Sequence, residues 1–469
     1  MGRVPGPGGG DTVSRQEPAT VRVTVVGGGL AGIAAALACA DAGAEVTLWE
    51  AKKWLGGATS SFDRDGLTID TGQHVFLRCC VAYREFLRRV GMEGRTDLQS
   101  RLDIPIVAPG GRTSGIRRTS LPAPLHLGRA LLSYRFLSRS ERVHAAITGL
   151  AIRRLDPRDP AVDEQAFGTW LRARGESPRA IRALWDLIGL PTLNVEADGA
   201  SLALAAKVFR TGLLDASGAA DIGVPIVPLQ ELHGDAGLRA LRAAGAIVRL
   251  GERVRGLAVT ADGVTGVETD AGTFAADAAI IAVPNDRVGD VLPDGAVPDP
   301  AAFARLGSSP IVNIHVVYDR PVLSRRFVAA VDSPVQWMFD RSGASGLEHG
   351  QYVAVSLSGA DAFVDRTVDD LRAEFLPAIE ALLPRARGAN VDRFLVTRER
   401  QATFRQGPGT LRLRPQAITS IPRLYLAGAW TDTGWPATME GAVRSGRTAA
   451  RAALMALGRT ERLPAEIAA

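Results

Sequence analysis

The sequence predicts an α/β fold: a Rossmann-type parallel-sheet domain interrupted by a second domain with a helical cap and an antiparallel sheet. Three observations predict it. Residues 21–50 read as strand, glycine turn, helix, strand and acid. From 81 to 223 the texture becomes amphipathic and helical, far longer than a loop. Buried-strand runs then return at 277–284 and 424–427, separated by β-branched stretches that read as an antiparallel sheet. Residues 20–80, 224–300 and 396–460 are therefore assigned to the first, discontinuous domain. Residues 81–223 and 301–395 are assigned to the second.

Val21–Val26 is apolar and β-branched, as a strand buried on both faces should be. Gly27, Gly29 and Gly32 follow as G-x-G-x-x-G, opening an Ala-rich helix that Gly43 ends. Gly27 permits the tight turn, Gly29 lets a pyrophosphate approach the backbone, and Gly32 allows the helix to pack on the strand. The free N–H groups and positive end of the helix face the phosphates. Val46–Trp49 reads as the next strand. It ends in Glu50, eighteen residues after Gly32, where a carboxylate can accept from a ribose diol.

After Glu50, the Gly56-Gly57 pair suggests a second backbone approach to a cofactor, and Lys52 and Lys53 are expected on the surface. Leu67–Asp70 reads as a short strand leading into Thr71-Gly72-Gln73-His74. His74 has two readings, a group beside a cofactor ring or an ordinary buried histidine. In 81–223, the segments 81–90, 127–137, 141–154 and 179–190 carry apolar residues at helical spacing with arginines between them, so this region is expected to be mainly helical. The stretch 129–154 suits either a lipid headgroup layer or the ordinary division between core and solvent.

Beyond Pro225, a helix is expected over 230–244, strands over 246–250, 254–259 and 267–269, and a turn marked by Gly263 and Gly266. In the second insertion, 311–318, 335–339 and 352–357 read as strands and 364–383 as a helix. Alternation places Asn313 and His315 on one face and Val312, Ile314 and Val316 on the other. A final helix from about Met439 offers its N-terminus to a carbonyl or a developing negative charge.

The 469 residues allow two or three packed units, and 46% apolar content supports a large core. A formal charge of +5 without a long basic run argues against nucleic-acid binding. Three cysteines, at 39, 79 and 80, form neither a disulfide framework nor a zinc pattern, so no metal is expected and a reducing compartment fits. Cys39 is expected as a small core residue. Residues 1–19 lack the apolar core of a signal peptide and read as a disordered tail. No apolar run reaches the length of a transmembrane helix.

Taken together, these features resemble the two-domain flavoenzymes of the amine oxidase and phytoene desaturase superfamily. The segments Asp70–Cys80, Val227–Asp235 and Trp430–Ala442 are similar to one branch in particular, hydroxysqualene dehydroxylase, also called squalene-associated FAD-dependent desaturase. The resemblance spans nearly everything from 21 to 458. It implies a GR2-like domain binding FAD through Gly27, Gly29, Leu30, Ala31, Gly32, Glu50, Gly56, Gly57, Ala58, Gly72, Gln73, His74, Val254, Gly428, Ala429, Met439, Glu440, Gly441 and Ala442. Val254 would meet the adenine through its backbone; Gly428 and 439–442 would lie near the ribityl chain and pyrimidine edge. Two positions depart from the superfamily pattern: Ala429 stands where an Asp is frequent, and Ala58 where a basic residue is common.

The implied reaction is reductive: hydroxysqualene loses its hydroxyl and gains a hydride, giving squalene and water. It requires a proton donor and a long water-free apolar channel. Asp432, His74 and Glu440 are the candidate donors. For Asp432 the bland reading is a turn cap, and for Glu440 an acid in a first helical turn. A long apolar isoprenoid is the expected substrate, with squalene-pathway synthases as possible neighbours and a location peripheral to the inner face of the cell membrane. A carotenoid desaturase, an amine oxidase and a flavin-free prenyl-binding protein are the alternative readings.

Overall fold

A computed structural model describes residues 21–460 and 463. The expected disordered tail, 1–19, lies outside the described residues. One sheet gathers strands from three distant stretches of chain. Its members are β1 (Arg22–Val26), β2 (Glu45–Glu50), β3 (Ile247–Leu250), β4 (Ala278–Ile281) and β5 (Leu424–Leu426), all parallel, in the order β3-β2-β1-β4-β5. Both faces of this sheet are covered, which explains the unbroken apolar runs in its strands. Helix α1 (Leu30–Asp41) packs on one face beside the C-terminal helix. The face of Val26, Trp49 and Ile281 meets Leu257, Val264 and Val267 of a separate three-stranded antiparallel sheet.

The second domain is built on a seven-stranded sheet in which Ser309–Tyr318 lies second from one edge, between Val391–Thr403 and Gln351–Ser358. Both faces of that strand are buried. Val312, Ile314 and Val316 pack into an apolar cluster with Leu371, Phe375 and Ile379 of the helix Val368–Leu382. Two findings correct the sequence reading here. The region read as mainly helical also supplies Asp103–Ala108 and Arg112–Arg117 to this sheet. Ile104, Ile106 and Ala108 alternate with more accessible neighbours, the period of a strand, within six residues too few to stand out between helices. The strand Val391–Thr403 also runs across the domain boundary placed at 395. A third correction concerns Gly266: it lies inside the strand Gly263–Thr269, where a Cβ would come 2.5 Å from the Phe274 carbonyl oxygen. Its glycine serves close strand approach rather than a turn.

The helical elements include α2 (Val81–Arg89), α3 (Arg139–Ile152) and the C-terminal α4 (Met439–Ala456). Ser138 and Glu141 close a capping box at the start of α3. Among the described residues, no helix is long and apolar enough to cross a membrane. Cys39 is fully buried on α1, and burial pushes its thiol up to about 12, as expected of a core cysteine.

Candidate active site

The glycine triplet and the glycine pair form one backbone cradle. Gly27 leaves β1 at φ +109°, and a Cβ there would sit 2.5 Å from the Ala282 carbonyl oxygen. Gly32 is equally constrained: its Cβ would lie 1.9 Å from the Gly27 carbonyl oxygen. Gly29 differs. Its nearest neighbour would be the Gly57 Cα at 4.0 Å, so this position opens onto free space. Gly56 N–H donates to the Gly28 carbonyl at 2.9 Å, holding the two glycine segments face to face. Gly29 caps α1 without any side chain, and the first turn carries no acid, so its N–H groups remain available to an anion.

Glu50 closes the far side of the cradle. Its carboxylate accepts from Gly28 N–H at 2.7 Å and Lys52 N–H at 2.8 Å, which fixes its orientation and leaves lone pairs for a diol. Val254 is buried at the start of the adjoining antiparallel sheet. On the opposite flank, Gly428 adopts φ +147° and donates its N–H to Ser445 Oγ at 2.8 Å. The next position, Ala429, presents a methyl, and its carbonyl accepts from the buried Arg414 guanidinium at 3.2 Å. Helix α4 is capped by Thr438, whose hydroxyl accepts from Gly441 N–H. It crosses α1 so closely that a Cβ on Gly446 would lie 2.1 Å from the Ala31 carbonyl oxygen. The bare cradle, the unopposed helix end and the oriented carboxylate fit a dinucleotide such as FAD.

The segment Thr71–His74 runs where the two domains meet. Asn313 of the second domain donates to the Thr71 carbonyl at 3.2 Å. Its amide oxygen and the Gln73 amide nitrogen are buried and lack hydrogen-bond partners among the described residues. Leaving such groups unpaired costs about 1–3 kcal/mol each, so they mark where a polar ligand would be held. A small enclosed pocket of about 10 Å³, the room of one water, lies between Asp70, His74, Pro225, Leu229, Phe339 and Arg341. His74 lines it beside the Ala58 backbone. Burial lowers its pKa against the opposing pull of Asp70, so the ring is neutral at physiological pH.

In the wall of this pocket Asp70 and Arg341 form a buried ion pair at 2.6 Å. Asp70 also accepts from Ser61 Oγ and Leu229 N–H, while Arg341 donates to the carbonyls of Pro225 and Val227. The pair therefore ties the cofactor domain to the second domain's sheet. Arg341 and Asn313 were not among the site residues read from the sequence. Arg341 follows a strand in an undistinguished Asp-Arg-Ser-Gly stretch and carries no local signal. Asn313 had one faint signal, a polar residue inside a β-branched run.

The other two proton-donor candidates lie apart from this pocket's walls. Glu440 is buried, and its carboxylate accepts from Ala82 N–H, Tyr83 N–H and Arg444 Nε. These bonds cap the N-terminus of α2 and occupy the carboxylate with structural contacts. Asp432 is exposed and accepts from Gln416 Nε2 and Gly434 N–H, the bonding of a turn cap.

His233, buried between the Tyr83 hydroxyl (2.8 Å) and the Thr59 carbonyl (3.4 Å), has its pKa driven down to about 3 by desolvation. His315, between Tyr352 and Thr397, is likewise lowered to about 3. Below pH about 6.5 the unfolded chain binds protons that the folded chain refuses, so stability falls as pH drops toward 3. Each histidine is expected to cost about 2 kcal/mol between pH 6.5 and 5. Denaturant midpoints at the two pH values check this, and H233N/H315N should lose less on acidification.

Comparison with known proteins places this geometry among flavoenzymes. The model of the family described as flavin containing amine oxidoreductase matches residues 30–454. Hydroxysqualene dehydroxylase of Rhodopseudomonas palustris is 31% identical over 92% of this chain and 98% of its own length. Zeta-carotene desaturase of Synechocystis is 26% identical over 92% and 97%. Among solved structures, cyclohexylamine oxidase from Brevibacterium oxydans superposes with a TM-score of 0.69 at 20% identity, covering 94% of this chain and all of that one.

Proposed function

Because the chain belongs to the flavin-containing amine oxidoreductase family, and is thus an FAD-dependent oxidoreductase, we propose that it removes the hydroxyl of hydroxysqualene to give squalene. The observation that carries this reading is the likeness to hydroxysqualene dehydroxylase along nearly the whole chain. FAD, when bound in its reduced form, supplies the hydride. At the substrate the allylic C–O bond breaks, a C–H bond forms, and the oxygen leaves as water with one added proton. Gly29 would present bare backbone to the pyrophosphate, in a turn that Gly27 and Gly32 shape, and Glu50 would receive the ribose. Gln73 and Asn313 offer the ligand one donor and one acceptor. His74, with its neutral ring, offers an N–H hydrogen bond to the leaving oxygen. Glu440 acts indirectly, by fixing α2 against α4, and Asp432 shapes the turn after Gly428.

Anaerobic incubation of the reduced protein with hydroxysqualene, followed by product mass analysis, tests the reaction; absence of squalene with flavin bound refutes it. His74→Ala is expected to lower kcat about 10²-fold, the scale of one lost hydrogen-bond donor at the reacting oxygen, without loss of flavin absorbance. Asp432→Asn is expected to stay near the unaltered rate. An undiminished kcat in His74→Ala would remove the histidine from the mechanism. The likeness to zeta-carotene desaturase favours a second reading, oxidative desaturation of a carotene. Oxidised protein forming a new double bond in that polyene, while reduced protein leaves hydroxysqualene unchanged, would establish it. Either substrate partitions into lipid, so the reading extends to a protein working peripherally at the inner face of the cell membrane, with squalene-pathway enzymes as neighbours under the first reading.

A further inference from the structure

Six of the fifteen exposed large apolar side chains among the described residues fall within thirty residues of one another: Leu121, Leu125, Leu132, Val143, Ile147 and Leu150, each 51–73% exposed. Val143, Ile147 and Leu150 recur at i, i+4 and i+7, so they form one stripe on α3, while Ala145, Thr148, Gly149 and Ile152 face the core. The short helix Gly128–Ser133, which carries Leu132, packs on α3, and Arg142 Nη1 donates to the Leu132 carbonyl at 2.5 Å. The two elements thus bring the exposed Leu132 and the α3 stripe to one side of the second domain's helical region. The rim of this side is basic. Residues 121–154 hold six arginines and a single acid, Glu141. That acid is engaged in the α3 capping box and by the Ser177 hydroxyl at 2.6 Å. At the end of the stripe, Leu150 and Arg153, Arg154 and Arg210 line an open groove of about 350 Å³, in which Asp215 pairs with Arg153 and Arg210.

We propose that this face docks the protein onto an anionic lipid bilayer, with the leucines and α3 stripe in the acyl boundary and the arginines among the headgroup phosphates. It extends the reading above by naming the contacting surface, and it stands whichever isoprenoid is turned over. An apolar helical stripe flanked by cations is the arrangement that lies in a membrane interface. A second copy of the chain fits poorly, because a two-fold contact would set this arginine-rich patch against itself.

Sedimentation of the full chain with phosphatidylcholine vesicles, with or without phosphatidylglycerol, tests the proposal. The protein is expected to bind the anionic vesicles at least about tenfold more tightly, and to release as salt rises. Ile147→Ser/Leu150→Ser and, separately, Arg135→Gln/Arg154→Gln are each expected to weaken binding about tenfold with flavin content and melting temperature unchanged. Ile418→Ser, at an exposed isoleucine elsewhere, should bind as the parent does. Equal binding to both vesicle types with no salt dependence would overturn the proposal, and this readout needs no variant. So would full binding by the serine pair, or a dimer at micromolar concentration that the serine pair splits.

Discussion

Arg341→Met is expected to destabilise the protein by about 3–5 kcal/mol, because it strands the Asp70 carboxylate without its cation inside the domain junction. The guanidinium and carboxylate sit 2.6 Å apart, each with only 6% of its side chain exposed. Arg341 also satisfies two carbonyls of the chain re-entering the cofactor domain, at Pro225 and Val227, so those acceptors lose partners as well. A paired neutral substitution distinguishes the charge effect from lost packing. Asp70→Asn in the Arg341→Met background should recover part of the loss, since a neutral amide is less costly to bury than an unpaired carboxylate. Asn can still accept from Leu229 N–H. Chemical denaturation of the four proteins of this double-mutant cycle gives the coupling directly. Coupling below about 0.5 kcal/mol would show that the pair does not hold the domains as described.

The second large effect separates two glycines of the same motif. Gly32→Ala places a methyl 1.9 Å from the Gly27 carbonyl oxygen, so helix and strand must part. Overpacking of this kind costs about 1–3 kcal/mol or more, and the variant should melt lower and retain little flavin. Gly29→Ala meets nothing closer than 4.0 Å and keeps an ordinary extended backbone, φ −75° and ψ −180°. The fold should therefore survive with stability changed by less than about 0.5 kcal/mol when flavin is absent. Its methyl occupies the space a pyrophosphate needs, so FAD affinity is expected to fall at least about tenfold, or about 1.4 kcal/mol. Flavin absorbance ratios and melting curves of the stripped proteins check both. A Gly29→Ala protein that retains FAD normally would show that the cradle is not the phosphate site.

The departures at Ala58 and Ala429 illustrate how the site distributes its contacts. Neither methyl can replace a charged or hydrogen-bonding side chain. The Ala429 carbonyl is instead tied to Arg414, whose pKa burial lowers to about 10 and whose guanidinium rests 5.2 Å from the Phe404 ring centre. Arg414 also donates to the Thr431 carbonyl at 2.5 Å. The loop after Gly428 is thus fixed from behind, through its backbone.

Much of the cofactor cradle was legible in the chain because its requirements are local. A strand, a turn that excludes Cβ atoms, a helix start and an acid must follow one another within about thirty residues, and each leaves its own trace in residue type. The strands of the parallel sheet were legible for a similar reason, since burial on both faces demands unbroken apolar runs. The short strands at 103–117 were not, because the half-buried alternation of 103–108 covers only six residues and is drowned by flanking helical periodicity, and 112–117 is mostly unburied at the sheet edge.

By itself, then, the sequence determined where bare glycine backbone meets a helix start, which segments build the parallel sheet, and which helix carries an apolar stripe beside arginines. Only the tertiary structure decided which polar groups meet across the fold. Asp70 finds Arg341 from 271 positions away, Glu440 caps α2 from 357 and 358, and Asn313 reaches Thr71 from 242. Such pairings follow from how whole elements pack, and a single side chain's partner across that distance leaves no periodicity or spacing to read.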